Sequence, residues 1–201
     1  MRTTTEIIAR EGWKPLVIGV IVLLLSWLFS SGFLGWLAFI FIVGVLYCYY
    51  NPERIPEDIA ENLILSPIDG KIESIEKTDN GIYLEIDKPL YFCGLLIMPG
   101  EVSMKQKEKI NGVLNASPII GQRTLLEFFH TQGMKVEMFI YPKAYRNNLH
   151  LYFGESKFKV TQRIGFFLKG KARIGIPLNT ELKVSVGDRV FAGSSALGYV
   201  Y

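Results

Sequence analysis

The chain has 201 residues, of which 49% are hydrophobic and 20% charged, with a net charge of +3 from 22 basic and 19 acidic side chains. This is too apolar for a disordered chain, and with no basic run or face it excludes a nucleic-acid binder. Two cysteines and two histidines, in no metal-ligand spacing, exclude a disulfide framework and a histidine-built metal site, so the expected metal complement is none and the expected compartment is reducing.

Residues 15–50 carry no charge at all. One unbroken helix there would run about 54 Å, against a hydrocarbon core of about 30 Å. Ser30-Ser31-Gly32 breaks the run into arms 16–29 and 33–50, a hydrophobic hairpin. Each arm is short for a span, so a shallow or re-entrant hairpin and two clean spans both fit. Arg2, Arg10 and Lys14 before it and Arg54 after it place both flanks in the cytoplasm. Trp13, Tyr47, Tyr49 and Tyr50 stand at the ends, where interfacial aromatics belong. A cleaved signal peptide fails on length and on the missing A-x-A-like site. A hairpin buried inside a soluble protein is the other reading. The net positive charge suits an anionic leaflet.

The predicted organisation is an anchor over 1–50, a linker over 51–62 and a β domain over 63–201. Pro52 and Pro56 bias their predecessors away from helix and mark the linker; one helical turn is expected in 57–62. Residues 71–77 and 82–87 read as a hairpin around Asp79-Asn80-Gly81. Residues 90–98 form a continuous apolar run, expected as a buried strand that Pro99-Gly100 stops. Lys105 to Lys109 reads as a charged loop. Further short strands are expected near 110–114, 124–129, 134–141, 148–153, 158–168 and 173–176. The turn Ser66-Pro67-Ile68-Asp69-Gly70-Lys71-Ile72 is echoed by Val186-Gly187-Asp188-Arg189-Val190-Phe191-Ala192-Gly193. Two such glycine-dependent turns bring the ends of a sheet together. The expected fold is mainly β, a barrel-sandwich hybrid-like domain behind an N-terminal hydrophobic helical hairpin.

No Walker A, Rossmann, H-E-x-x-H or G-x-S-x-G pattern is present. His130 and His150 stand in no motif, and neither do the carboxylates Glu127 and Glu137.

The order of segments resembles the short bacterial and archaeal phosphatidylserine decarboxylases over nearly the whole chain. The apolar hairpin is followed by Asn51-Pro52-Glu53-Arg54-Ile55-Pro56, similar to that family's exit segment. Ser66 to Ile72 matches its "SPxDGxV" motif. Ile176-Pro177-Leu178-Asn179-Thr180-Glu181 and the closing "GxxVxAG" turn match its C-terminal pattern. The resemblance implies a chain that cuts itself at a Gly-Ser bond with help from an Asp and a His. The new N-terminal Ser becomes a pyruvoyl cofactor, on which phosphatidylserine loses carbon dioxide.

Three positions carry that chemistry, and one is kept. Asp69 matches the family's Asp. Ser103 or Met104 falls where its His belongs. Gly170-Lys171 stands where the Gly-Ser bond is expected. Lysine has no hydroxyl, and an amine makes no Schiff base with the substrate's amine, so no cofactor is expected here. Lys169, Lys171 and Arg173 are candidate ligands for a lipid phosphate; a solvated basic strand is the plainer reading. Gly193-Ser194-Ser195 offers another Gly-Ser bond, close to the chain end.

The expected protein is therefore an uncleaved, catalytically degenerate member on the cytoplasmic membrane, with its bulk on the cytoplasmic side. It would bind phospholipid or act in regulation, with a second copy or a true decarboxylase as partner. The alternatives are an active decarboxylase processed at an unusual site and a membrane-tethered scaffold module.

Overall fold

The structure, a computed structural model, describes residues 7–58, 60–97, 99–100, 102–110, 123–130, 135–143, 149–152, 155–158 and 161–201. The chain divides into two compact units, Met1–Glu53 and Arg54–Tyr201.

In the first unit a 3-10 turn, Arg10–Gly12, leads into α1 (Trp13–Leu28), and α2 (Gly32–Cys48) follows. Pro15 lies in the first turn of α1, where a missing N–H costs nothing. Between the helices Ser30 has a φ of 53°, and Ser31 N–H returns to Ser26 O at 2.9 Å. Small residues let the helices approach: a Cβ on Gly19 would lie 2.8 Å from Ile42, and one on Gly35 2.8 Å from Ser26 Oγ. Ala9 N–H donates to Tyr49 O at 2.8 Å, tying the two ends of the hairpin. Arg10–Leu28 is long and apolar enough to cross a membrane, whereas Gly32–Cys48 is shorter. Trp27, Phe33, Trp36 and Ile40 are exposed, so the hairpin does not bury its own apolar surface.

The second unit is mainly β, as expected. Its strands are β1 (Leu63–Leu65), β2 (Gly70–Thr78), β3 (Gly81–Lys88), β4 (Leu95–Ile97), β5 (Val102–Ile110), β6 (Arg123–His130) and β7 (Lys135–Pro142). β8 (Leu149–Leu151), β9 (Glu155–Phe158), β10 (Arg163–Phe167), β11 (Gly170–Ile176), β12 (Thr180–Leu182), β13 (Arg189–Val190) and β14 (Ala196–Val200) complete the list. Among the described residues they form three antiparallel sheets, none closed into a barrel. The largest runs β13-β2-β3-β11-β7-β6-β5-β9, beside β1-β14-β12 and β4-β10-β8.

Strand alternation places the core. Ile82, Leu84 and Ile86 of β3, Ala172 and Ile174 of β11, and Met138 and Ile140 of β7 point to one buried side. Their alternate neighbours, Glu85, Asp87, Lys171 and Arg173 among them, form the outer face. The two echoing glycine turns pair with each other, Arg189 opposite Lys71 and Val190 opposite Gly70.

Three local expectations are corrected. The apolar run 90–98 is not one strand: Leu90 and Tyr91 form an exposed turn after Pro89, and only Leu95–Ile97 is strand. At the break, Gly94 passes so close to Phe166 that a Cβ would lie 2.2 Å from its ring. The charged stretch from Lys105 to Lys109 is no loop but the middle of β5, held by its ladder to β6. Residues 57–62 hold no helix among those described, only a turn at Glu61 and Asn62. The strand expected at 110–114 falls, beyond Ile110, outside the described residues.

Candidate functional site

Asp69 sits in the tight turn that feeds β2 and is almost wholly buried. Three segments converge on it. Ala192 N–H, from the closing turn, donates to Oδ1 at 2.7 Å. Arg54, from the exit segment, places Nη2 2.8 Å from Oδ2. Cys93 donates its backbone N–H from the loop before β4. The guanidinium of Arg54 also lies 5.2 Å from the centre of the Phe191 ring.

Burial pushes the Asp69 carboxyl up from its ordinary range. The Ala192 N–H, then the charges of Arg54 and Lys88, then the Cys93 N–H pull the other way. Desolvation penalises the charged form, and these contacts recover only part of that cost. Burial likewise pushes the Cys93 thiol up, and the negative charge of Asp69 adds to the shift. Both effects disfavour the thiolate, the nucleophilic form of the side chain.

Lys88 is fully buried, one of the large side chains so placed among the described residues. It ends β3 on the inward face, and its ammonium donates to Phe92 O at 2.9 Å and Leu168 O at 3.1 Å. Leu168 precedes Gly170 by two residues, and Gly170 pairs with Lys88 in the sheet. The backbone at Gly170 thus reaches the Asp69 side of the molecule through Lys88.

Lys171 points the other way. It lies in β11 opposite Asp87 and Tyr141 on the outer face and is ion-paired to Glu73. The hydrogen bond to Glu73 holds its ammonium above the usual lysine range, with Glu85 and Asp87 adding to the effect. Arg173 pairs with Glu76 at 3.0 Å and stacks over Tyr83 at 4.5 Å from the ring centre. Lys169 is exposed in the bend just before the strand, and its carbonyl accepts Lys143 N–H at 3.1 Å. Lys171 and Arg173 therefore lie in a ladder of alternating charge, and their cationic heads are matched by carboxylates.

Gly170 is constrained by its backbone. Its φ is +151°, and a Cβ would lie 2.2 Å from Tyr141 O and 2.9 Å from Phe167. Only glycine fits there without a shift.

Ser103 and Met104 lie on β5, opposite Phe129 and Phe128 of β6. β5 is separated from β11 by β7 and β6, about 14 Å at the usual strand spacing. Through Phe128 and Val136 the row of Met104 meets the Ile176 end of β11, five residues and roughly 17 Å along from Lys171. The structure does not bring these two positions to Gly170-Lys171. His150 is exposed on β8, and the side chain of His130 lies outside the described residues. Glu127 and Glu137 face each other across β6 and β7, and Lys135 bridges both at 2.7 Å. Lys135 and Glu137 border a groove of about 610 Å³ at the far end of β11 from Gly170. Among the described residues no set of three or more metal-ligating side chains is gathered.

Sequence reasoning did not single out Arg54, Lys88 and Cys93 as partners of Asp69. For Lys88 the signal was available: the parity of Ile82, Leu84 and Ile86 continues to it and demands an inward side chain. For Arg54 and Cys93 nothing local pointed to the contact, which joins residues distant in the chain.

No family model matches the chain, and no solved structure does. Curated relatives do match along almost the whole length. A phosphatidylserine decarboxylase proenzyme of Nitrosomonas europaea is 30% identical over 210 residues, covering 95% of this chain and 94% of the relative. One of Polynucleobacter asymbioticus is 28% identical over 220 residues, with coverage of 95% and 94%. Another, of Burkholderia ambifaria, is 24% identical over 205 residues and covers 95% of each.

Proposed function

The chain belongs to the phosphatidylserine decarboxylase family, and from that premise we propose that it is an uncleaved, membrane-anchored member of phospholipid metabolism that binds lipid instead of decarboxylating it. The observation that carries this reading is the side chain at position 171. A pyruvoyl group arises from a hydroxyl residue that follows the cut glycine. Here that residue is lysine, paired with Glu73 on the face turned away from Asp69. Gly170-Lys171 does not fit the cofactor, and without such an electrophile no ordinary side chain supplies the electron sink.

What remains is scaffold and anchor. The apolar hairpin, with Arg2, Arg10, Lys14 and Arg54 on its flanks, supports a cytoplasmic-membrane location with the β domain on the cytoplasmic side. A lipid phosphate at Lys169, Lys171 and Arg173 would compete with Glu73 and Glu76, so this binding is weak and salt-sensitive. A second copy of the chain or an active decarboxylase is the protein partner that fits a regulatory role.

One observation favours a second reading, an active decarboxylase processed at Gly193-Ser194 that makes phosphatidylethanolamine. Asp69 grips the N–H of Ala192, the residue just before that glycine. An assay separates the two readings. Full-length protein in vesicles containing phosphatidylserine should release no carbon dioxide and form no phosphatidylethanolamine, yet should retain lipid on repurification. Turnover blocked by a carbonyl reagent would overturn the first reading in favour of the second.

A further inference from the structure

The surroundings of Asp69 include a feature that neither self-processing nor phosphate binding uses. Each segment that converges on this carboxylate carries a large apolar side chain out into solvent. Ile55, next to Arg54, is 82% exposed. Tyr91 and Leu90, in the loop that leads to Cys93, are 62% and 40% exposed. Phe191, beneath the Arg54 guanidinium, is 38% exposed.

These residues are held, not loose. Glu57 N–H donates to Ser194 O at 3.0 Å, so Ile55 lies between two anchor points, that bond and the Arg54–Asp69 pair. Phe92 N–H closes the 89–92 turn onto Pro89 O at 3.3 Å, and Lys88 grips Phe92 O. The Tyr91 and Phe92 rings contact each other at 5.1 Å between centres. Exposed apolar residues scattered singly need no explanation, but a fixed collar around one buried site does. Large apolar and aromatic side chains in such a collar match the chemistry of the headgroup–acyl boundary, where tyrosine sits with its ring in and its hydroxyl in the wet layer.

We propose that the collar of Ile55, Leu90, Tyr91 and Phe191 is a bilayer-contact surface that holds the Asp69 end of the β domain at headgroup depth. The occupant is the lipid surface, because of where the collar starts in the chain. Ile55 follows Tyr50, the end of the apolar hairpin, by five residues, which span at most about 18 Å. The inference rests on the membrane anchoring of the proposed function.

The test is depth-dependent quenching of single tryptophans in full-length protein reconstituted into phosphatidylcholine–phosphatidylserine vesicles with brominated acyl chains. All three native tryptophans, Trp13, Trp27 and Trp36, lie in the hairpin, and in the unaltered protein their quenching reports the anchor alone. In a background of Trp13→Phe, Trp27→Phe and Trp36→Phe, a tryptophan is introduced by Tyr91→Trp, Leu90→Trp or Ile55→Trp. The control is Asp79→Trp at the exposed β2–β3 hairpin tip, ten residues and roughly 30 Å along from Asp69. Each collar variant is expected to lose most of its emission to lipids brominated near the headgroup, while the control loses little. A quenched hairpin with collar variants as bright as the control would overturn the collar and leave the anchor standing. Native tryptophans that escape quenching would overturn both.

Discussion

Arg54 closes over Asp69: its Nη2 lies 2.8 Å from Oδ2, across fifteen residues of chain. The contact joins the first residues of the β domain to the turn that begins its largest sheet. With the carboxylate nearly buried and the guanidinium mostly so, it behaves more like an interior pair than a surface one. Removing one partner of such a pair leaves the other charge uncompensated.

Arg54→Ala should therefore destabilise the β domain by about 2–3 kcal/mol, less than a fully buried pair because part of the guanidinium meets solvent. Arg54→Lys should recover only part of this, since lysine cannot stack on Phe191 as a planar fork does. Urea unfolding of the full chain in detergent micelles checks both, and a loss no larger than that of an exposed ion pair would count against the contact.

The raised carboxyl of Asp69 gives stability a pH signature. An unfolded aspartate titrates near about 3.9, and the folded one titrates higher. The folded state therefore holds this proton more tightly. The contribution is full below the unfolded value and is lost as pH rises through the folded one. The midpoint of the native chain should fall relative to Asp69→Asn as pH rises from about 4, the unfolded value, through the raised value of the folded carboxyl. Lys88→Met, which removes a cation near Asp69, should widen that fall and cost about 1–3 kcal/mol for the carbonyls of Phe92 and Leu168 left without a donor. A difference between native and Asp69→Asn midpoints that does not change with pH would refute the assignment.

Gly170 and Lys171 should respond very differently to substitution. Gly170→Ala forces a Cβ onto Tyr141 O at a φ of +151°, at a cost of about 2–4 kcal/mol. Lys171→Ser removes an exposed ion pair and should cost no more than about 1 kcal/mol. Although it restores the missing hydroxyl, the chain should still run as one band, because position 171 faces away from Asp69. Self-cleavage of Lys171→Ser would show that one residue alone had silenced the site.

Much of this could be read from the residues in order. The uncharged run and its Ser-Ser-Gly break gave the hairpin, and the alternation in 82–87 gave β3 and its buried side. The paired glycine turns foretold the pairing of β13 with β2, because that signal is local on both strands. The reading failed where packing overrides composition. Residues 90–98 look like one buried strand, but Pro89 and the close approach of Gly94 to Phe166 turn half the run outward. The charged residues around Lys105 look like a loop, yet backbone pairing with β6 makes them strand. The Asp69 cluster stayed hidden because its contacts are tertiary, with Asp69 and Ala192 123 positions apart in the chain.

The central claim is that the chain stays whole, and intact mass under denaturing conditions tests it most directly. Protein purified from membranes should give one species at the 22.8 kDa of the full sequence. Two species, the smaller blocked at its N-terminus by a carbonyl that borohydride reduces, would contradict it, and a smaller species with the mass of residues 194–201 would place the cut before Ser194.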